Sequence, residues 1–343
     1  MSISCNNKKM APFFIIAAGI CWGVIGIFSR QLATIGFSPV QIAFGRSFVT
    51  AAVMVLFMAG TRASELAIAK RDIWMFLGTG LCSIVFFNIC YFTAIQMTTL
   101  SMAAILLYTA PSIVMVLSIL LFKEAFTPVK ALCLVLAFAG CVLVSGLGVG
   151  QVNVPGVLAG LGAGFGYALY SIFARYALAK YTPFAVTTWT FVVAAAGLIG
   201  FSHAGQIAAV VLNVPEAAAL FVLLGIVSTA LPFGLYTLGL NKMEAGKASI
   251  LASVEPLTST LVGVLIFHEA LTIAGLGGIF CILGAIVLLN RSVLKKRSPG
   301  GIYPKSSLFY LQNAVILFLL MLLLKTAPLF LVLIRHIIIN LKR

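Results

Sequence analysis

An all-α polytopic membrane protein follows from three features of this chain: its composition, the length of its apolar runs and its likeness to itself. Of 343 residues, 62% are hydrophobic and 8% are charged, whereas a soluble domain carries about 25% charged residues. Twenty-two Lys and Arg with seven Asp and Glu are too few to clothe a water-exposed surface of this size. Ten apolar runs are long enough for a bilayer core of about 30 Å, which needs about 20 residues of helix. The first five runs recur in the second five at an offset of 145 residues. The expected architecture is ten transmembrane helices in two inverted five-helix repeats, plus an extra C-terminal hydrophobic helix.

The runs are 11–30, 39–60, 73–95, 102–122, 129–147, 155–176, 183–202, 216–240, 247–267 and 272–290. Each is apolar throughout rather than alternating, which excludes the strands of a membrane barrel. The first follows Lys8 and Lys9 without a small-residue cleavage site, so it reads as a retained signal-anchor helix. The fourth and ninth carry Pro111 and Pro256. Each proline removes an N–H and frees the carbonyl four residues earlier, at Leu107 and Ala252. The expectation is a kink that opens polar backbone to a cavity and serves as a hinge; a packed kink without a ligand is the alternative. Gly19/Gly23, Gly156/Gly160/Gly164, Gly162/Gly166 and Ala274/Gly278 have the four-residue spacing that lets helix backbones approach. The glycine-rich tenth run suits packing on its own half or a dimer contact, so monomer and homodimer both stay open.

The longest connections, 61–72, 203–215 and 291–306, leave no room for a soluble enzymatic or sensor domain. Beyond them, 307–324 reads as an eleventh hydrophobic helix. The run 326–341 carries Arg335 and His336 near its middle, where an Arg costs about 2.5–3.5 kcal/mol on insertion scales. It is a surface or hairpin helix, or a segment outside the core fold. The resulting division is a first repeat at 1–147, a second at 148–292, and a basic linker with a hydrophobic tail at 293–343.

Net charge is +15, yet a nucleic-acid partner is not expected, because the cations obey the positive-inside rule. With the N-terminus in the cytoplasm, the cytoplasmic segments hold Lys8, Lys9, Arg62, Lys70, Arg71, Lys123, Lys130, Arg175, Lys180, Lys242, Lys247, Arg291, Lys295, Lys296, Arg297 and Lys305, and the opposite side holds Arg30. Sixteen against one places the chain as a multi-pass protein of the cytoplasmic membrane. Seven cysteines without a CxxC pair and three scattered histidines give no disulfide framework, metal site or cofactor.

The self-similarity is densest where 103–127 falls on 248–272, with nine identities in 25 positions, among them Pro111/Pro256, Phe122/Phe267, Glu124/Glu269, Ala125/Ala270 and Thr127/Thr272. The same offset pairs Gly19/Gly164, Phe28/Phe173, Arg30/Arg175, Gly80/Gly225 and Tyr91/Tyr236. A five-helix unit used twice puts the second copy upside down, an architecture recurrent in secondary transporters. The segments AAILLYTAPSIVMVLSILLFKEAFT and ASILASVEPLTSTLVGVLIFHEALT share a mid-helix Pro, an apolar half-helix and Phe-x-Glu-Ala-x-Thr. In this the chain resembles the drug/metabolite transporter superfamily and its EamA-like permeases, over about 11–292. The resemblance implies ten helices around a central cavity and transport of small organic solutes, often export of amino acids or other metabolites.

Glu255 is the only acid deep inside a run, about 3 Å from the midpoint of 247–267 at 1.5 Å per residue. Intramembrane carboxylates usually face a cavity or a partner. Glu255 is expected to bind a substrate amine or carry protons, or else to form a structural hydrogen bond. Its match in the first half is Ala110, so there is no carboxylate pair for hydrolysis. Arg46 lies about 10 Å inside the second run. It can grip a carboxylate, pair with Glu255, or snorkel outward. Arg30 and Arg175 are expected as interfacial anchors. Trp22, Tyr91, Tyr108, Tyr167, Tyr170, Trp189 and Tyr236 sit at mid-depth and suit the wall of an organic ligand site, with Asn88 as a further polar candidate.

The reading is a permease that moves a small organic metabolite, exporting amino-acid-like solutes or drugs by alternating access, with proton coupling through Glu255. Its partners are the solute, the lipid bilayer and protons. No phosphate-binding loop is present, so ATP is not the energy source. An intramembrane enzyme would need paired acids, a metal cluster or a Ser/His arrangement at depth. A channel or scramblase would need a filter or a ring of acids.

Overall fold

The structure is a computed structural model and describes residues 3–146, 153–270 and 272–295. The elements in these residues are helices joined by short turns. Among the described residues, nine helices are long and apolar enough to cross a membrane: Met10–Ile35, Pro39–Thr61, Lys70–Met97, Leu100–Phe122, Pro128–Ser145, Val154–Ala177, Pro183–Phe201, Pro215–Leu240 and Ala245–Phe267. They answer to the first nine apolar runs. The tenth run folds as the helix Ile273–Lys295, whose apolar part, Ile273–Leu289, is shorter than the other nine. The eleventh helix expected at 307–324 lies outside the described residues.

Local chemistry explains where these helices begin. Ser38-Pro39, Thr127-Pro128 and Thr182-Pro183 each place a capping hydroxyl before a first-turn proline. The side-chain oxygen accepts a first-turn N–H, and proline sits where no N–H is needed. Ser38 and Gln41 close a full capping box. Lys123 and His268, related by the 145 offset, both end their helices in the left-handed conformation, at φ 53° and 56°.

At the prolines the chain does more than bend. The fourth span divides into Leu100–Leu107 and Ala110–Phe122, and the ninth into Ala245–Ala252 and Val254–Phe267. The expected kink is a break, because each proline falls in the first turn of a new half-helix and deprives the preceding turn of its donor. π-helical turns also recur, at Gly78–Val85 in the third span and Ile226–Ala230 in the eighth. The connection at 203–215 is not a plain loop. It contains the helix Ala204–Asn213, tied to the second span where Gln41 Nε2 donates to Gln206 Oε1 at 3.3 Å.

Helix backbones meet at the small residues. The first span lies on the broken ninth: a Cβ on Gly23 would stand 2.8 Å from the Glu255 carbonyl. The sixth lies on the broken fourth in the same way, a Cβ on Gly164 standing 2.9 Å from the Leu106 carbonyl. The last described helix leans away from its own half, and its Gly284 faces open space. It packs chiefly on the fifth span, with Gly278 facing the Gly140 carbonyl.

The two ends of the bundle differ. One carries Lys123, Lys130, Lys180, Lys242 and Lys247 and is called here the basic end. There Asp72 accepts from Lys180 Nζ at 2.6 Å and from the Tyr181 hydroxyl at 2.8 Å, Thr182 Oγ1 donates to Glu65, and Trp189 donates to the Leu66 carbonyl. The other end carries Arg30, Gln206 and Glu269.

Candidate functional site

A cavity of about 580 Å³ lies between the broken helices. Trp22, Arg46, Asn88, Tyr91, Tyr108, Tyr167, Tyr170, Tyr236 and Glu255, nine of the ten residues singled out above as site candidates, line it. Trp189 does not; its indole is held at the basic end. Pro111 and Pro256 flank the cavity as the residues that interrupt its helices.

Glu255 stands in the first turn of Val254–Phe267. The break at Ser253 therefore sets a carboxylate at a helix N-terminus, where the backbone dipole favours negative charge. The Tyr167 hydroxyl donates to its Oε2 at 3.2 Å. Arg46 does not snorkel. It is buried, and its Nη2 donates to Asn88 Oδ1 at 3.4 Å. Asn88 is itself fixed, since its Nδ2 donates to the Ile84 carbonyl at 2.7 Å within the π-helical region. Arg46 and Glu255 form no ion pair within 4 Å among the described residues, so direct pairing, one of the three alternatives for Arg46, is absent. The depth of the cavity thus holds Arg46 and Glu255 without a direct ion pair between them.

The aromatic residues divide by what their polar groups do. Tyr170 and Tyr236 form the floor with committed hydroxyls, Tyr170 to Thr237 Oγ1 at 2.8 Å and Tyr236 to Ser171 Oγ at 2.7 Å. Trp22 packs on Phe233 and Tyr236 with ring centroids 5.0 and 5.4 Å apart. Phe87 stacks on Tyr91 at 5.7 Å and meets Tyr167 edge-on. Arg30 and Arg175 are more than interfacial anchors. Arg30 bonds Glu269 at 2.7 Å and lies over the Phe267 ring, while Arg175 donates to the carbonyls of Leu240 and Met243 at 2.8 and 2.9 Å.

The lining continues to Ser29, Arg30, Ala33, Pro39 and Leu100, so the cavity rises to the Arg30 end and stops short of the basic end at its aromatic floor. Sequence reasoning passed over Ser29, Ser83, Phe87, Phe233 and Ser259. Two were within reach by helical spacing: Ser259 follows Glu255 by four, and Phe87 precedes Tyr91 by four. Ser83 was not, since its place depends on the π-helical turn.

A bundle with Leu, Ile and Phe exposed on its outside and a mainly apolar, aromatic-lined cavity inside that carries Arg46, Asn88 and Glu255 defines a multi-pass membrane protein with room for a small molecule between its helices. The chain belongs to the EamA-like transporter family, whose model matches residues 9–146 and 154–291. The duplication read from the 145-residue offset is present in those two matches. The chain is 32% identical over 199 residues to an uncharacterized transporter of Archaeoglobus fulgidus, covering 57% of this chain and 70% of that one. It is 26% identical over 280 residues to the transporter YetK of Bacillus subtilis, covering 78% and 82%. It is 29% identical over 188 residues to the threonine/homoserine exporter RhtA of Escherichia coli, covering 54% and 60%. A solved crystal structure shares the fold with a TM-score of 0.68 at 21% identity, over 84% of this chain and 99% of the other. The chain is therefore a membrane transporter of small molecules, and its family is not one of enzymes.

Proposed function

We propose that this transporter exports amino-acid-like zwitterions or similar amphipathic metabolites across the cytoplasmic membrane by alternating access. The observation that carries the reading is the pair of opposite, unjoined charges, Arg46 and Glu255, lining one cavity with aromatic walls. A carboxylate suits the guanidinium and an ammonium suits Glu255 beside Tyr167. The E. coli relative named as a threonine/homoserine exporter supports the same class of solute. Ten spans with the N-terminus in the cytoplasm, repeats at 1–147 and 148–292 inverted relative to each other, and hinges at Pro111 and Pro256 complete the proposal. The cavity then faces outward, because Arg30 marks the outer end. Glu255 also carries the proton that couples transport to a pH gradient.

A panel of amino acids and analogues at toxic concentrations, applied to cells overproducing the chain, tests the solute class. Tolerance to one or more zwitterions is expected, followed by saturable, stereoselective flux in proteoliposomes. Equal flux of solutes that carry only a cation or only an anion would overturn it. Coupling is tested in inside-out vesicles with and without an imposed pH gradient, using the parent and Glu255→Gln. Unchanged transport in both comparisons removes the proton.

A further inference from the structure

The two ends of the bundle hold repeat-related charges in opposite arrangements. At the basic end, Glu124 reaches across to the half-helix Ala245–Ala252 and accepts from the N–H groups of Ala245 at 2.8 Å and Gly246 at 3.2 Å. That half-helix has no side-chain cap of its own, so Glu124 supplies the carboxylate its N-terminus favours. Arg175 caps the other polarity, the carbonyls of Leu240 and Met243 at the end of the eighth span.

The mates at an offset of 145 behave differently. Glu269 and Arg30 cap nothing and bond each other, half exposed, at 2.7 Å. The backbone groups that would complete the correspondence are those of Leu100 and Ser101, mates of Ala245 and Gly246. Thr99 caps only Met102 in that half-helix, and the N–H groups of Leu100 and Ser101 have no acceptor among the described residues. Packing follows the same division. The half-helices Ala245–Ala252 and Ala110–Phe122 lie together, whereas their mates Leu100–Leu107 and Val254–Phe267 stand apart at the mouth of the cavity.

We infer that Glu124 and Glu269 are the two gating carboxylates of this transporter, each capping the half-helix opposite when its own end is shut and turning to its arginine when that end opens. In the outward-closed state Glu269 leaves Arg30 and accepts from the N–H groups of Leu100 and Ser101, while Arg30 caps the carbonyls of Ile95 and Thr98, mates of Leu240 and Met243. At the basic end Glu124 then pairs with Arg175. No bond is made or broken beyond hydrogen bonds and ion pairs, and the exchange leaves each charge partnered in both states. The inference rests on the alternating-access reading and adds the residues that close each end.

Gly246 stands beside Met115 where the basic end is shut, so its mate Ser101 is expected beside Thr260 when the outer end shuts. The test is disulfide formation between Ser101→Cys and Thr260→Cys in the full chain in proteoliposomes. Peptide mass spectrometry identifies the bridge, and each single variant reports the background from the native cysteines. The bridge is expected to form and to arrest transport. Glu269→Gln in that background should lower its yield about threefold or more, and Glu124→Gln should raise it, because each gives up a charged cap on two backbone N–H groups in the shut state against a weaker side-chain ion pair in the open one, half exposed in the case of Arg30 and Glu269. Opposite signs from two equivalent substitutions are not the signature of lost folding. No bridge in a pair variant that transports before oxidation overturns the mapping of the gate, and equal yields with and without Glu269 overturn its role. The bridge needs no solute. Its formation with the expected signs, alongside failure of every zwitterion tested, supports the gate and counts only against the solute class proposed above.

Discussion

Arg46 shows what a single side chain owes to its neighbours. Its guanidinium is buried, steadied by Asn88, and Asn88 is steadied by a carbonyl in a π-helical turn. A planar fork held this way can meet a carboxylate with two parallel hydrogen bonds, which the compact ammonium of lysine cannot do. Hydrogen bonds to charged groups contribute about 1.5–3 kcal/mol each, so Arg46→Lys is expected to weaken apparent affinity for carboxylate-bearing solutes about tenfold or more. Asn88→Ala should weaken it less, by loosening the fork without removing it. Solute counterflow in proteoliposomes measures both, and an unchanged half-saturation concentration in Arg46→Lys would rule Arg46 out as the carboxylate's partner. Glu255 and Arg46 were visible in the sequence because charge at membrane depth is rare. The aromatic wall was visible as rings but not as roles: nothing in the sequence separates Tyr167, which bonds Glu255, from Tyr170 and Tyr236, whose hydroxyls serve the floor. That division depends on which helices face each other.

The broken fourth and ninth spans are the elements on which the cavity depends. Pro256 places Glu255 in a first helical turn and leaves the preceding turn short of a donor. Pro256→Ala restores an N–H, lets the half-helices join, and should slow transport several-fold while equilibrium solute binding changes about twofold or less. A loss of binding as large as the loss of transport would argue against a hinge. The break also requires the first span to lie close, with Gly23 facing the Glu255 carbonyl. Gly23→Leu should cost about 1–3 kcal/mol through overpacking, seen as a lower thermal midpoint in detergent; an unchanged midpoint would show that the first span can move away freely. The positions of the nine spans were readable from run length and hydropathy, since lipid permits little else than an apolar helix of about 20 residues. Hydropathy does not distinguish a kink from a break, because both depend on what packs beside the proline. The helix Ala204–Asn213 was missed for a related reason: Ala, Ile and Val in a ten-residue stretch are too short to span, and only its seat against Gln41 makes it an element.

The whole molecule is less symmetric than its repeats. At the basic end Lys130 is buried and its Nζ meets Glu244 Oε2 at 2.5 Å, with Lys247 bonding the same carboxylate at 3.0 Å and the Ala125 carbonyl accepting from Lys130 at 2.6 Å. The mates of Lys130, Glu244 and Lys247 are Gly275, Thr99 and Met102, so the Arg30 end cannot form this cluster. On the alternating-access proposal, an ion pair available to only one of two closed ends tilts the equilibrium toward the state that contains it, here the state open at the Arg30 end. Glu244→Gln leaves Lys130 without its charged partner. Loss of a charged hydrogen bond of about 1.5–3 kcal/mol shifts the two-state balance about tenfold or more. Cysteine introduced at Ser259, which lines the cavity, reports the shift through a membrane-impermeant maleimide applied from either face, with the chain lacking that cysteine as background. The parent should label from the Arg30 face. Glu244→Gln should lose part of that labelling and gain it from the basic face, and an identical pattern in both proteins would show that the cluster does not set the balance. The pH dependence has a definite sign. Burial opposes the charge on Glu244, but hydrogen bonds from Lys130 and Lys247 and their positive charges outweigh it, leaving the carboxyl below its ordinary 4.5. A carboxyl held low when folded contributes fully above its ordinary value and loses that contribution as pH falls through the lowered one. Labelling that depends on this cluster should therefore be flat between about pH 6 and 8 and shift toward the basic face only in acid well below that range. A change in the balance near neutrality would have to come from another group.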